Sequence, residues 1–212
     1  MTQTTDLLTL AQWMSPSFPV GAFSYSHGLE TVVTNGTVQD ADDLLNWLTG
    51  VLRHGGGWSD AVLLVAAYQA DDPAEIDALT RALAPSAERL LETELQGAAF
   101  SGTVSQVSEA TLPDLSYPVA VGAAARAAGL PATQSVAIYL HGFAANLVSA
   151  AIRLVPLGQT EGQQVLSRLA PLCAELAEAA VESRLEDLGT CSWAADIASM
   201  THETQTVRLF RS

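Results

Sequence analysis

The chain has 212 residues, 49% of them hydrophobic and 15% charged, enough to bury a sizeable core. Its formal net charge of −14 disfavours nucleic acid and anionic membranes as partners. All nine basic residues are arginine, whose planar fork suits fixed ion pairs and interfaces, although a coding bias would give the same usage.

Alanine and leucine outnumber β-branched and aromatic residues, which favours helix over sheet. Cys173 and Cys191 form no CxxC or other metal spacing and read as reduced thiols of a cytoplasmic protein. The stretch MTQTTDLLTL has no basic region and no long apolar run, so no secretory leader is expected.

Taken in order, Leu7, Leu10, Ala11 and Met14 repeat at helical spacing and predict a first short helix that stops at Ser15-Pro16. From Ser15 to Glu30 the sequence is dense in special residues. Pro16 and Pro19 fix φ, and Gly21 permits a turn. Ser24 is a plausible cap for a helix through Glu30. On that helix His27 and Glu30 share a face, and Tyr25, Ser26, His27 and Glu30 lie close enough for several to face outward. Two readings stay open here: an ordered loop plugging a core with Phe18 and Phe23, or a recognition surface.

Asn35-Gly36 ends this element, and Asp40 caps the next, with Leu44, Leu45, Leu48 and Leu52 as its buried stripe. After the break at His54-Gly57, Ser59 or Asp60 starts a helix whose run AVLLVAA is apolar all round and therefore central. Asp71-Asp72-Pro73 ends it. Ile76, Leu79 and Leu83 mark the next stripe. The spacing then predicts a helix over Glu88–Phe100 with Leu91, Leu95 and Ala98 or Ala99 inward, and a loop with a short helical turn over Ser101–Ser116.

Tyr117-Pro118 opens an alanine-rich helix that Gly129 terminates. Pro131 precedes a long apolar helix ending at Pro156. That helix contains His141, Asn146 and Arg153, so it reads as a buried helix rather than a membrane span, with His141 a satisfied core histidine. Gln159 and Gln163 follow in a polar connection, and the last long helix spans Gln163–Leu188 on Val165, Leu169, Leu172, Leu176 and Ala180. Trp193–Met200 makes a short helix at most, followed by the tail THETQTVRLFRS. No stretch alternates with period two and none repeats, so residues 1–212 read as one all-α globular domain of about ten helices.

The chemistry is sparse. The four histidines form no HxH or HExxH pattern, no GxxxxGK[ST] or GxSxG occurs, and Gly55-Gly56-Gly57 lacks the lysine of a phosphate loop. No catalytic residue, cofactor site or metal site is expected. A competing reading is a helical metal carrier using His27, Glu30 and Asp60, an incomplete ligand set.

Three stretches carry a resemblance to a known family: SFPVGAFSYSHGLE near the start, YPVAVGAAARAAGLPA followed by AAIRLVPLGQTEGQQVL, and HETQTVRLFRS at the end. Together they resemble the urease accessory protein UreF family. Ala22 stands where a second glycine is common, Thr206-Val207 where Tyr-Ser is frequent, and Thr201 where arginine is. The resemblance implies an all-α, dimeric cytoplasmic scaffold without catalysis of its own. It implies UreD/UreH and UreG as partners, apo-urease reached through that complex, and GTP-dependent nickel insertion as the process served; the competing carrier would then bind nickel. It places partner contacts at Tyr25, Ser26, His27, Glu30, Asp60, Arg153 and Gln159. In the tail it adds His202, Glu203, Thr204, Gln205, Arg208, Leu209, Phe210, Arg211 and Ser212, making 202–212 a docking element.

Overall fold

The computed structural model describes residues 4–189 and 191–212; Met1–Gln3, the head of the stretch read above for a leader, and Thr190 lie outside it. The regular elements are α1 (Thr4–Trp13), α2 (Leu29–Thr34), α3 (Ala41–His54), α4 (Gly56–Gln69) and α5 (Ala74–Ala82). They continue as α6 (Ala87–Val107), α7 (Tyr117–Ala127), α8 (Ala132–Leu154), α9 (Gln159–Glu182) and α10 (Trp193–His202). Short 3-10 turns lie at Ala22–Ser24 and Leu185–Leu188, and no strand occurs among the described residues. The molecule is all-α, as composition and spacing predict.

The central helix is α4. Ala61–Val65 and Ala67 are all buried, because the run AVLLVAA has no polar side chain to offer solvent. Helix α7 crosses it at Gly122, where a Cβ would stand 2.3 Å from the Leu64 carbonyl oxygen; only a glycine lets the two backbones meet so closely. Helix α3 is capped as expected, the Asp40 side chain accepting from the N–H groups of Asp42 and Asp43 at 3.0 Å each. Helices α8 and α9 form a helical hairpin, and the α9 stripe of Val165, Leu169, Leu172, Leu176 and Ala180 is buried as spacing predicts.

Several boundaries differ from expectation. Helix α4 starts at Gly56, before Ser59, and α9 runs Gln159–Glu182, because Gly158 N–H donates to the Glu161 carboxylate at 2.8 Å and starts it early. Gln159 and Gln163 therefore sit on the first turns of α9, not in a connecting loop. Leu83 is exposed rather than on the α5 stripe, and α10 extends to His202. His141 is exposed on the open face of α8, not a core histidine. That helix is long and apolar enough to cross a membrane, yet half of the span is buried inside this protein.

The largest departure is α6. It extends to Val107, and Leu91 and Leu95 are 54% and 47% exposed, while Glu92, Gln96, Gly97, Phe100, Ser101 and Val104 face inward. Gly97 lies under the start of α7, where a Cβ would come within 1.9 Å of the Leu115 carbonyl oxygen. That contact fixes which side of α6 faces the core. The inward polar residues are tolerated because Arg89 pairs with Glu92, and Gln96 Nε2 donates to Glu92 Oε1 at 2.8 Å.

Candidate functional site

The stretch after Ser24 is not helical. Tyr25 is extended (φ −123°, ψ 140°), and His27 (φ 54°) and Gly28 (φ 74°) are both left-handed, so α2 begins only at Leu29. The cause is a long-range partner. Ser26 donates both its N–H and its hydroxyl to the Ser212 oxygen, at 2.9 and 2.5 Å, and Arg211 N–H donates to the Ser24 oxygen at 2.8 Å. This pairing with the carboxyl-terminal tail replaces the intrahelical bonds that Ser24 would have capped. His27 and Glu30 therefore do not share a helical face. Tyr25, Ser26 and Glu30 are buried rather than displayed, and His27 is half-buried. Of the two phenylalanines expected to plug a core, Phe18 does so and Phe23 is 70% exposed.

Glu30 is the receiver for the tail. Its carboxylate accepts from the N–H groups of Leu209 and Phe210 at 2.6 and 2.9 Å and stands 3.2 Å from His202 Nε2. His202 Nδ1 lies 2.6 Å from Glu88 Oε2, and Arg208 donates to Glu88 Oε1 at 2.5 Å. Phe210 is buried beneath Arg153, whose guanidinium sits 4.3 Å above the ring and donates to the Phe23 carbonyl oxygen at 2.9 Å. The Glu203 carboxylate accepts from Ala87 N–H at 2.7 Å, at the positive end of α6. Thr31 donates to Gln205, and the Thr204 hydroxyl to the Thr201 oxygen.

The tail thus packs on its own domain. His202, Phe210 and Ser212 face home, while Val207, Leu209 and Arg211 face solvent, Val207 at 82% and Leu209 at 56% exposure. Leu209 and Phe210 were expected to act together as an outward anchor; Phe210 instead turns in beneath Arg153 while Leu209 stays exposed. Gln159 is exposed at the start of α9 and makes no hydrogen bond to the tail among the described residues.

Beneath the loop over residues 15–28 lies a polar cluster that local sequence did not reveal. Arg89 is paired with Glu92, and His27 Nε2 sits 2.6 Å from Glu92 Oε1 and 2.7 Å from Arg89 Nη1. Ser212 closes the link to the tail by donating its hydroxyl to Glu92 Oε2 at 2.7 Å. Tyr139 donates to Asp60 Oδ2 at 2.7 Å. Burial pushes the Glu92 carboxyl up, but Arg89 and then His27 outweigh it and hold it at about 2. Burial, then the Arg89 charge, push the His27 imidazole below its ordinary value against the pull of Glu92. The left-handed backbone of His27 is itself strained for a side chain with a Cβ, and its ring meets the Phe143 ring edge-on at 4.7 Å. Arg89 and Glu92 lie three apart on a helix, a spacing that normally marks a solvent-exposed pair, so nothing local pointed inward.

The UreF family profile matches residues 38–170 of this chain. The urease accessory protein UreF of Cereibacter sphaeroides is 52% identical over 206 residues, covering 97% of this chain and 98% of that protein. The urease accessory protein UreF of Roseobacter denitrificans is 54% identical over 211 residues, 99% and 95% of the two chains. That of Ruegeria pomeroyi is 51% identical over 210 residues, 98% and 97%.

Proposed function

The chain belongs to the UreF family of urease accessory proteins, and we propose that it is a cytoplasmic scaffold for GTP-dependent nickel insertion into apo-urease. In this reading it bridges the UreD/UreH and UreG accessory proteins, modulates the GTPase of UreG and performs no covalent chemistry itself. One observation carries the reading: the three stretches that bear the resemblance, far apart in sequence, converge on one unit. Arg153 stacks on Phe210 and holds the Phe23 oxygen, while Ser24, Ser26 and Glu30 bind Leu209–Ser212. Phe23, Val207, Leu209 and Arg211 remain exposed on these same segments, supplying the apolar and arginine groups that anchor interfaces. Residues 202–212 are then a docking element whose inner face is held at home and whose outer face is offered to UreD/UreH.

The proposal includes a homodimer. Leu91 and Leu95 on α6, and Trp193, Ile197 and Met200 on α10, are large apolar side chains left exposed by the single chain.

Co-expression with UreD/UreH, UreG and the urease subunits tests the scaffold. The expected result is co-purification of all three accessory proteins, with this chain present in two copies, and nickel-poor urease when it is omitted. UreG joining UreD/UreH and urease filling with nickel in its absence would contradict it.

A further inference from the structure

Between α1, the loop over residues 15–23, α6 and α8 lies a cavity of about 610 Å³, within the ~300–1,000 Å³ range of small-molecule sites. Six aromatic side chains line it: Trp13, Phe18, Tyr117, Tyr139, Phe143 and the exposed Phe23. Its floor is the polar cluster of His27, Asp60, Arg89 and Glu92.

The charges on that floor do not cancel. Arg89 is taken by Glu92, its ion-pair partner. Asp60 has a hydrogen bond from Tyr139 to Oδ2, and no hydrogen bond reaches Oδ1 among the described residues. With Asp60 ionised and His27 neutral, the floor carries one net negative charge. Aromatic faces attract organic cations, and a carboxylate beside them fixes the cationic head. Among the described residues that line it, the arginine is already paired with Glu92, so an anion meets no free guanidinium there.

We propose that this cavity binds a small organic monocation with an apolar body, such as an arylalkylammonium, its head on Asp60 and its body against the aromatic walls. The state of Asp60 agrees: burial, opposed by Arg89 and the Tyr139 bond, holds its carboxyl up at about 6, as expected of an acid lacking a full counter-ion. The groups facing it are Arg89 and Glu92 on α6, Tyr117 on α7, Tyr139 on α8 and His27 in the loop, with Asp196 of α10 lining the smaller cavity that adjoins Asp60. This site does not depend on the scaffold reading and is tested without any partner protein.

The test is calorimetric titration of the full chain with 2-phenylethylammonium at pH 7.5, with 3-phenylpropionate as the anion of similar body. The ammonium should bind and the carboxylate should not. Asp60→Asn should weaken ammonium binding at least tenfold, and Phe143→Leu should weaken it by less. Lowering the pH to 5 protonates Asp60 in the free protein, so affinity should fall about tenfold, one pH unit below its pKa. Should Asp60→Asn fail to give native circular dichroism, the pH series and Phe143→Leu decide. Absent ammonium binding at millimolar concentration, equal binding of the anion, or affinity unchanged at pH 5 would overturn the proposal.

Discussion

Glu30→Ala is expected to release the carboxyl-terminal tail from the domain. The carboxylate satisfies two backbone donors, Leu209 N–H and Phe210 N–H, and faces the buried His202 ring. The buried Phe210 N–H left without its partner costs roughly 1–3 kcal/mol and the part-buried Leu209 N–H less, so the docked tail loses at least about 1–3 kcal/mol. The two N–H groups regain water if the tail leaves, so the loss is capped by the free energy of tail docking. The first sign is therefore local. Trypsin cleavage after Arg208 should accelerate at least tenfold, since each ~1.4 kcal/mol of docking lost is a factor of ten in the open population. The melting temperature should also fall by several degrees, because Phe210 leaves the core, at roughly 2–4 °C per kcal/mol for a chain of this size. Unchanged cleavage and unchanged melting would show that Glu30 does not hold the tail.

Gly28→Ala should be nearly as damaging for a different reason. Gly28 has φ 74°, and a Cβ there would stand 2.6 Å from Ser199 N and 2.8 Å from the Ala198 carbonyl carbon. Left-handed backbone costs a residue with a Cβ roughly 1–2 kcal/mol. The overlap is with backbone, which cannot swing aside, so α10 must shift at an overpacking cost of roughly 1–3 kcal/mol more. That shift pulls Ser199 from its 2.7 Å hydrogen bond with Ser86 and moves His202 away from Glu30. Gly129→Ala is the matched control, since Gly129 has φ 65° with nothing within 4 Å of an added Cβ. Urea denaturation should show Gly28→Ala clearly less stable than Gly129→Ala. Equal losses would mean that the approach of α2 to α10 contributes nothing.

The legible parts of the fold were those set by local pattern. The stripe of α9, the all-apolar run of α4 and the Asp40 cap of α3 could be read directly, because burial follows hydrophobic spacing when a helix has one apolar side. Helix α6 misled because it has two candidate faces. Leu91 and Leu95 advertise one, and a backbone contact at Gly97 selects the other. The stretch from Ser15 to Glu30 misled for a similar reason. Ser24 has the chemistry of a helix cap, but Ser26 finds a partner 186 residues away, a pairing that no window of sequence contains. The residues of the tail unit were mostly identified from the family resemblance, but their inward and outward division was not. Arg89, Glu92 and Tyr139 were missed altogether, since each is ordinary in its local context and becomes special only where α6, α8 and the loop meet.

The central claim is that the outer face of the docked tail, not its buried inner face, engages UreD/UreH. The direct measurement is the affinity of UreD/UreH for Val207→Ser/Leu209→Ser, two substitutions of exposed side chains that leave the backbone bonds to Glu30 in place. The account predicts binding at least tenfold weaker, a combined loss of ~1.4 kcal/mol or more from two apolar side chains set at the centre of the interface. It also predicts a melting temperature within about 2 °C of the parent, because exposed surface positions contribute little to stability. Unchanged affinity in a variant that melts like the parent would contradict it.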